Sequence, residues 1–598
     1  MNFKSKLFVL GLVSKIFAAD FAVVSFDSEC QLSAGGQTYP MTKDESGVPL
    51  YRVTANVAEN TKYNYICGGK PDVERTLTGN KTYNELVGRA LTMYDMPEFG
   101  YPNAEPWDRT IGRTELFDPK YVPIVIVDVD KQFFVSGGGD DFRKITFVLQ
   151  DKVFSFNNIP TSSKNGDEDK FQFRITLPGD GIYHRNVLKF RPSSYDPVFF
   201  RQILYGDIAH AIGNPTHESV SVRVYLSDGT PIGLYVLQED CTSESFIRSA
   251  FYGDSSGNVK EFVKTPIYDC STGADLNPND PNQLGGFQSD VQDDMKFELL
   301  ELANRLAALN VNDLNAVKDF DENWLDLDTL FRALALEYLA GDWDGYWFLT
   351  TNFVMYHPDE EKEGTQWNYS KFKYYFIEQD VDQTWSVGMK ESLDPQNFPL
   401  KTYDQLINLD WKTINADQGG IDSETRLILT KLLGCDGQPS CYTKEYFENH
   451  LQSIVQHIFN PVAMKRKTDG YKQRLFEEMK WDLDTPRLHK GTKQQYQFTW
   501  TDFEQGIDTG NYLGSKFFYG ILDWTTAICD TVCKQFNIEY DKVPYDPESA
   551  AKAKVDKIDA GTKLDTTSNL KTSDSIMNKT NVIFALVAVI LSAVIYIY

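Results

Sequence analysis

The chain has 598 residues, with 85 Asp and Glu against 59 Lys and Arg and a formal net charge of −26 at pH 7. That charge repels a polyanion at long range, which argues against a nucleic-acid partner and leaves basic protein partners open. A hydrophobic fraction of 41% and an aromatic fraction of 14% supply a substantial core, which excludes a disordered stalk.

Residues 1–19 place Lys4 and Lys6 before an apolar run from Leu7 to Phe17 that ends in Ala18 and Ala19, the order of a secretory signal peptide. Residues 20–76 read as short strands at 21–26, 51–57 and 62–67 separated by Gly- and Asp-rich turns, which predicts a small β-sandwich. Residues 77–118, rich in Pro, Gly and isolated aromatics, read as a connector. The main body spans 119–545. Its first part alternates at 122–129, 144–149, 171–177 and 187–190, turns helical at 198–212, and returns to strands at 220–226 and 233–238. This is a mostly antiparallel sheet with a helix on it. The rest is helical, at 295–309, 327–339, around Leu427, and at 446–459, 471–480 and 522–536. The fold class is therefore α+β.

Residues 546–575 form a polar tether. Residues 576–598 carry an uncharged apolar tail from Val582 to Tyr598, preceded by small residues. The pattern predicts a GPI-attachment propeptide with Ser573 as the attachment site. The expected location is the outer face of the cell membrane or the cell wall, reached through the ER, with the membrane contacted through the lipid. Eight cysteines fit that oxidising route. The expected pairs are Cys30–Cys67, Cys241–Cys270 and Cys435–Cys441. Cys529 and Cys533 either form a local bridge or have separate partners. Asn80-Lys-Thr and Asn368-Tyr-Ser are glycosylation acceptors in an exported chain.

The most chemically pointed stretch is Gly341-Asp342-Trp343-Asp344-Gly345-Tyr346-Trp347, followed by Asn352 and then by Glu378-Gln379-Asp380-Val381-Asp382. Carboxylates and an amide oxygen are hard donors suited to Mg²⁺ or Mn²⁺. An Asp that accepts a hydroxyl proton, with an Asn and an Asp that hold metal on ATP, is the minimal apparatus of a protein kinase. These residues alone leave three readings open: a metal-dependent enzyme, a calcium-stabilised loop, or plain turns.

The chain resembles the CotH-like proteins, atypical protein kinases that include the surface CotH invasins of Mucorales fungi. The resemblance is carried by Leu339 to Trp347, Thr351-Asn352 and Asp380-Val381-Asp382, and in the first half by Lys170 to Leu177, Leu188 to Arg191, Asp196-Pro197, Arg201, Leu204 to Ile208, His210 to Gly213 and Gly233 to Tyr235. It implies a two-lobed, atypical protein-kinase-like domain behind the β-sandwich. It also implies a Ser/Thr protein kinase that uses ATP with Mg²⁺ or Mn²⁺ on a protein substrate. In that reading Asp344 is the catalytic Asp, and Asn352 and Asp380 hold metal. Lys170 contacts the ATP phosphates, with Lys189 and Arg191 as rivals, and Glu239 lies near the nucleotide. Asn352 stands eight residues after Asp344, further than in ordinary kinases, so the loop must bulge. No spaced glycine motif marks the nucleotide-cradling loop, and Gly137-Gly138-Gly139-Asp140 reads as a turn.

The alternative function is a GPI-anchored adhesin that binds a host or partner-cell surface receptor, with the kinase fold inactive. For it the resemblance offers residues 351–361, which overlap the stretch where the invasin group resembles a receptor-binding motif; within them the loop around Tyr356 to Glu360, polar around Pro358, is expected to be presented.

Overall fold

The computed structural model describes residues 17–546 apart from 103–105, 272, 290–295, 366–367, 419–424, 494–496 and 511–516. Most of the expected export signal and nearly all of the tether and lipid-attachment signal lie outside the described residues. Among the described residues no helix is long and apolar enough to cross a membrane.

The N-terminal region is two facing sheets. One runs in the order Thr42–Lys43, Leu50–Val57, Phe17–Val24, Lys81–Leu86; the other centres on Cys30–Ala34 and Lys62–Cys67. Alternation decides which side chains meet: Tyr63, Tyr65 and Cys67 point inward with Phe21, Val23 and Leu32. A Cys30–Cys67 disulfide closes this core, and Cys435–Cys441 closes the later loop, both as expected. The strand Lys81–Leu86 pairs parallel to Phe17–Val24, so the β layer extends past residue 76. Ala22, Val24 and Leu50 then pack on Ile124, Ile126 and Tyr225 of the next sheet, joining the two regions through one apolar contact.

That next sheet has eight strands in the spatial order Val153–Ile159, Phe142–Val148, Ile124–Asp128, Ser219–Leu226, Pro231–Glu239, Val187–Arg191, Gln172–Thr176, Thr161–Lys164. All its pairings are antiparallel except Ile124–Asp128 with Ser219–Leu226. Phe173, Ile175, Leu188 and Phe190 share one buried cluster. Gln172, Arg174, Lys189 and Arg191 occupy the alternate positions, so a row of polar side chains faces the helical half of the molecule.

The helical half is built around Leu327–Ala340, in which all residues but Asp328 are buried. Asp326 caps its start by accepting from Thr329 N at 2.9 Å, and Gly341 ends it at φ 60°. A side chain at Gly341 would also stand 2.4 Å from the Trp524 ring, so only glycine fits this cap. The helices Arg201–Ala211, Tyr442–His457, Pro461–Asp484 and Ile521–Phe536 surround it in a single core that also takes Leu234 and Val236 from the sheet. A three-stranded sheet, Ile267–Cys270, Phe353–Tyr356, Tyr375–Glu378, lies against the same core. The architecture is mixed α+β, a β-rich first part followed by a helix-rich second.

The Cys241–Cys270 pairing does not form. Both thiols are free and buried. Cys241 Sγ lies 3.3 Å from His217 Nδ1, while Cys270 Sγ lies 3.6 Å from the Tyr268 carbonyl. Cys529 and Cys533 are also free, with sulfurs 4.0 Å apart on one helix.

Candidate active site

The site begins where the Leu327–Ala340 helix ends. Glu337, one turn before the cap, turns its carboxyl back on the loop that follows and accepts from Trp347 N at 3.1 Å. Gly345 lies against this carboxyl, where an added Cβ would stand 3.0 Å from Glu337 Oε2 and 3.2 Å from Asp342 Cγ. The loop is thus wound tightly around Glu337, and it delivers Asp344 to the cleft edge. Asp344 Oδ2 accepts from Gln383 Nε2 at 3.1 Å; its buried Oδ1 has no hydrogen-bond partner.

The chain then doubles back. Thr350 and Asn352 take left-handed φ values of 53° and 57°, a conformation Asn tolerates better than most residues. Thr351 Oγ1 and Asn352 Nδ2 both donate to the Asp344 carbonyl, at 2.5 and 3.1 Å. This is the bulge that the eight-residue interval requires. Immediately afterwards Phe353–Tyr356 pairs with Tyr375–Glu378, Phe353 opposite Glu378, and Gln379 N donates to Asn352 O at 3.0 Å. Sheet pairing therefore carries Asp380 to the side of Asn352 across 28 positions of sequence.

The opposite wall is the large sheet. Arg191 spans the cleft, pairing with Asp380 and, at 3.0 Å, with Asp382. Lys189 Nζ lies 2.9 Å from Asp240 Oδ1, and Arg174 Nε lies 2.6 Å from Asp240 Oδ2. Between the walls is a cavity of about 490 Å³ whose lining includes Lys189, Arg191, Asn352, Asp380, Asp382 and Gln383. The hairpin joining Thr161–Lys164 to Gln172–Thr176 lines it with Ser162, Lys164, Asn165 and Glu168. A second cavity of about 690 Å³ shares Arg174, Thr242 and Asp269 with the first and extends past Val187, Ile267 and Arg248.

The electrostatics are unbalanced toward negative charge. Burial, then the charges of Asp380 and Asp382, push the Asp344 carboxyl well above the usual carboxylate range. Burial and the neighbouring Asp344 and Glu337 do the same to Asp342. Asp382 is raised to about 6 by burial and by Asp380, against the pull of Arg191. Burial also opposes ionisation of Asp380, but Arg191 outweighs it and keeps that carboxyl below its ordinary value. A divalent cation fits this donor set. Asp344 keeps a buried Oδ1 without a hydrogen-bond donor, the amide oxygen is the remaining donor atom of Asn352, and Asp380 Oδ1 is the atom that pairs with Arg191, so its Oδ2 is the oxygen left for a cation. Among the described residues no group of three or more His, Cys, Asp or Glu side chains converges as a complete metal cage. Asp380 and Asn352 would hold Mg²⁺ or Mn²⁺ only together with water and phosphate oxygens, the usual coordination of Mg²⁺ on nucleotides.

Four of the seven residues singled out in the sequence, Lys189, Arg191, Asn352 and Asp380, line one cavity, and Asp344 is tied to it through Gln383 and Asn352. Two do not join them. Glu239 is buried on the far side of its strand, receiving Arg185 Nε at 2.6 Å, Ser249 Oγ at 2.5 Å and Glu218 N at 2.9 Å. Lys170 lies before the start of its strand and turns away from the cleft, between the Phe199 and Tyr235 rings, onto the Leu234 carbonyl and Asp482 at 3.2 Å. Its position is a clamp between sheet and C-terminal helix.

Burial lowers the Lys170 ammonium to about 7, Arg487 adding to the effect and Asp482 opposing it. Between pH 7 and 10.5 the unfolded chain binds a proton that the folded chain lacks, so stability rises with pH across that window. Lys170→Met is expected to flatten the rise, which otherwise reaches up to about 1.4 kcal/mol per pH unit. Urea midpoints of both proteins at several pH values from 7 to 10 measure it, and nucleotide binding should be unaffected.

Sequence reading passed over Arg174, Asp240 and Gln383. Arg174 was within reach, since strand alternation sets it on the face opposite Phe173 and Ile175. Gln383 follows the Asp380-Val381-Asp382 motif directly but carries no pattern of its own. The segment 351–361 also departs from expectation. Phe353–Tyr356 is a buried strand and His357 and Pro358 are buried. Glu361 pairs with Arg109 at 2.5 Å, and Asp359 with Lys362 at 2.8 Å. Of residues 351–361 only Glu360 is fully at the surface, which leaves a short acidic tip in place of a presented loop.

Comparison with known proteins places these features in a family. The chain is similar to invasin CotH3 of Rhizopus delemar, 26% identical over 88% of this chain and 85% of that protein. Invasin CotH2 of the same organism is 26% identical over 88% and 84%. Its spore coat protein homolog 1 is 24% identical over 88% and 83%. The family description "CotH kinase protein" matches residues 162–504, from the cavity-lining hairpin through Asp344, Asn352 and Asp380 to the helices beyond. The chain belongs to the CotH kinase protein family.

Proposed function

We propose that this chain is a surface-displayed interaction protein of the invasin group whose cleft transfers phosphate from ATP to Ser or Thr hydroxyls. The observation that carries the surface reading is similarity to proteins named invasins along 88% of the chain. Attachment through a GPI lipid is part of this reading, as is binding to a receptor on a host or partner cell. The acidic tip at Asp359 and Glu360 favours a basic partner surface and faster encounter at low salt.

The catalytic reading is supported by the meeting of Asn352 and Asp380 with Lys189 and Arg191 at one cavity, with Asp344 tied to it through Gln383 and Asn352. The adjoining cavity is mostly polar but takes in Val187 and Ile267 and would receive the purine there, and the cavity with Lys189 and Arg191 suits the phosphates. Asp344 would accept the proton of the attacking hydroxyl, and Gln383 orients its carboxyl. Asp380 and Asn352 would hold the divalent cation, which when bound supplies positive charge against the transferring phosphoryl group. Lys189 and Arg191 neutralise the remaining phosphate oxygens.

One experiment separates the two roles. Protein released from cells by phosphatidylinositol-specific phospholipase, a release that itself tests the anchor, is assayed for binding to target cells. The double change Asp359→Asn, Glu360→Gln is expected to weaken binding roughly two- to fivefold, more at low salt, without lowering the melting temperature. Asp344→Asn should bind like wild type. Unchanged binding by the double variant rejects the tip as the contact.

A further inference from the structure

We propose that Arg174 reads a phosphate of the bound ligand at the joint between the two cavities, where Asp240 holds its Nε and leaves its Nη fork free. The inference rests on the nucleotide reading above and adds to it an unassigned residue and a position along the ligand.

Arg174 lies directly opposite Lys189 in the sheet register, on the face that looks into the cleft. Asp240 sits between the two. Its Oδ1 takes Lys189 Nζ at 2.9 Å, Thr242 N at 3.2 Å and Thr242 Oγ1 at 2.8 Å, and its Oδ2 takes Arg174 Nε at 2.6 Å. A carboxylate held from so many directions is a fixed post. Burial works against its charge, but Lys189 and Arg174 more than compensate and keep it ionised.

The contact uses Arg174 side-on. Nε is taken, and the two Nη groups at the far end have no protein partner among the described residues. Arg191 differs in this respect, because its Nη groups are spent on Gln172, Asp380 and Asp382. Arg174 is also the more open of the two, its side chain 39% exposed against 13%. A guanidinium fixed through Nε with its fork free matches two oxygens of one phosphate, a geometry an ammonium cannot reproduce.

Position then selects the part of the ligand. Arg174 lines both cavities, with the acids Asp380 and Asp382 lining only the smaller and Val187 and Ile267 only the larger. It therefore meets the polyphosphate chain where that chain leaves the nucleoside.

The test titrates the full chain with inorganic tripolyphosphate and, separately, with adenosine. Arg174→Ala should weaken tripolyphosphate about tenfold or more and leave adenosine within about twofold. Arg174→Lys should recover only part of the loss, and Arg174→Gln, which keeps a donor for Asp240 without the charge, should behave like Ala. Unchanged tripolyphosphate binding in Arg174→Ala overturns the proposal, as does an equal loss for adenosine. If wild type transfers phosphate and Arg174→Ala binds normally, this inference alone falls. A wild type that binds neither tripolyphosphate nor ATP takes the nucleotide reading down with it.

Discussion

Asp344→Asn is expected to lower phosphate transfer by about 10²- to 10⁴-fold, the range for loss of a positioned general base. ATP affinity should change less than about twofold. The reason lies in what Asp344 touches. Its carboxyl takes a hydrogen bond from Gln383, shares a contact with the Asp342 carboxyl and has no ion pair among the described residues, so the isosteric amide keeps the Gln383 acceptor while losing the ability to take a proton. Its backbone carbonyl, which holds Thr351 and Asn352, is untouched by the substitution. Asp380→Ala should behave differently. It removes the charge paired with Arg191 and a donor to the metal, so metal-dependent ATP binding falls together with turnover. Transfer of labelled γ-phosphate with Mg²⁺ or Mn²⁺, in preparations shown free of contaminating kinases, measures the first effect, and calorimetry measures the second. Equal, measurable turnover by wild type and Asp344→Asn would remove Asp344 from the chemistry, whereas no transfer by wild type would leave the surface role as the function of the fold.

Trp347→Ala should destabilise the protein by about 3–5 kcal/mol, as for other large buried aromatics. Trp347 is fully buried, donates from Nε1 to the Leu334 carbonyl at 3.0 Å, and lies within ring contact of Tyr338, Phe348 and Phe447. Its side chain fills the core directly behind the loop that carries Asp344. Trp347→Phe keeps most of the apolar contact and loses one hydrogen bond, so its cost should be smaller by a clear margin. Trp343 is the internal control. It is only partly buried, and donates to the Val387 carbonyl at 3.0 Å. Its removal should cost less than that of Trp347. Denaturant unfolding of the three variants reports the order, and a Trp347→Ala protein as stable as Trp343→Ala would mean the core behind the site is not packed as described.

Much of this molecule is written in local pattern. Phe173 and Ile175 alternate with Gln172 and Arg174, and Leu188 and Phe190 with Lys189 and Arg191, because a strand between a core and a cleft must sort its side chains by face. The Asp326 cap and the Gly341 stop bracket the central helix for equally local reasons. Asp344, Asn352 and Asp380 were legible through their family motif, and the bulge that joins the first two was implied by their spacing.

What lies across a gap was not legible, because it depends on residues far away in the chain. Lys170 and Lys189 look equivalent in sequence, yet Lys170 meets Asp482, more than 300 residues later, and Lys189 meets Asp240. Glu239 and Asp240 are neighbours with opposite destinations, one locked under Arg185 and the other posted at the cleft, since Glu239 ends its strand facing the core and Asp240, the first residue beyond it, turns the other way. Cys241 and Cys270 could be paired on paper by compartment and number, but their sulfurs are turned toward His217 and the Tyr268 carbonyl by elements that pack independently. Local pattern laid down most of the elements and their polar faces and singled out the acids proposed for the site. Only tertiary packing decided which cation each acid meets, because ion pairing in a buried cleft is set by distance in space and not by order along the chain.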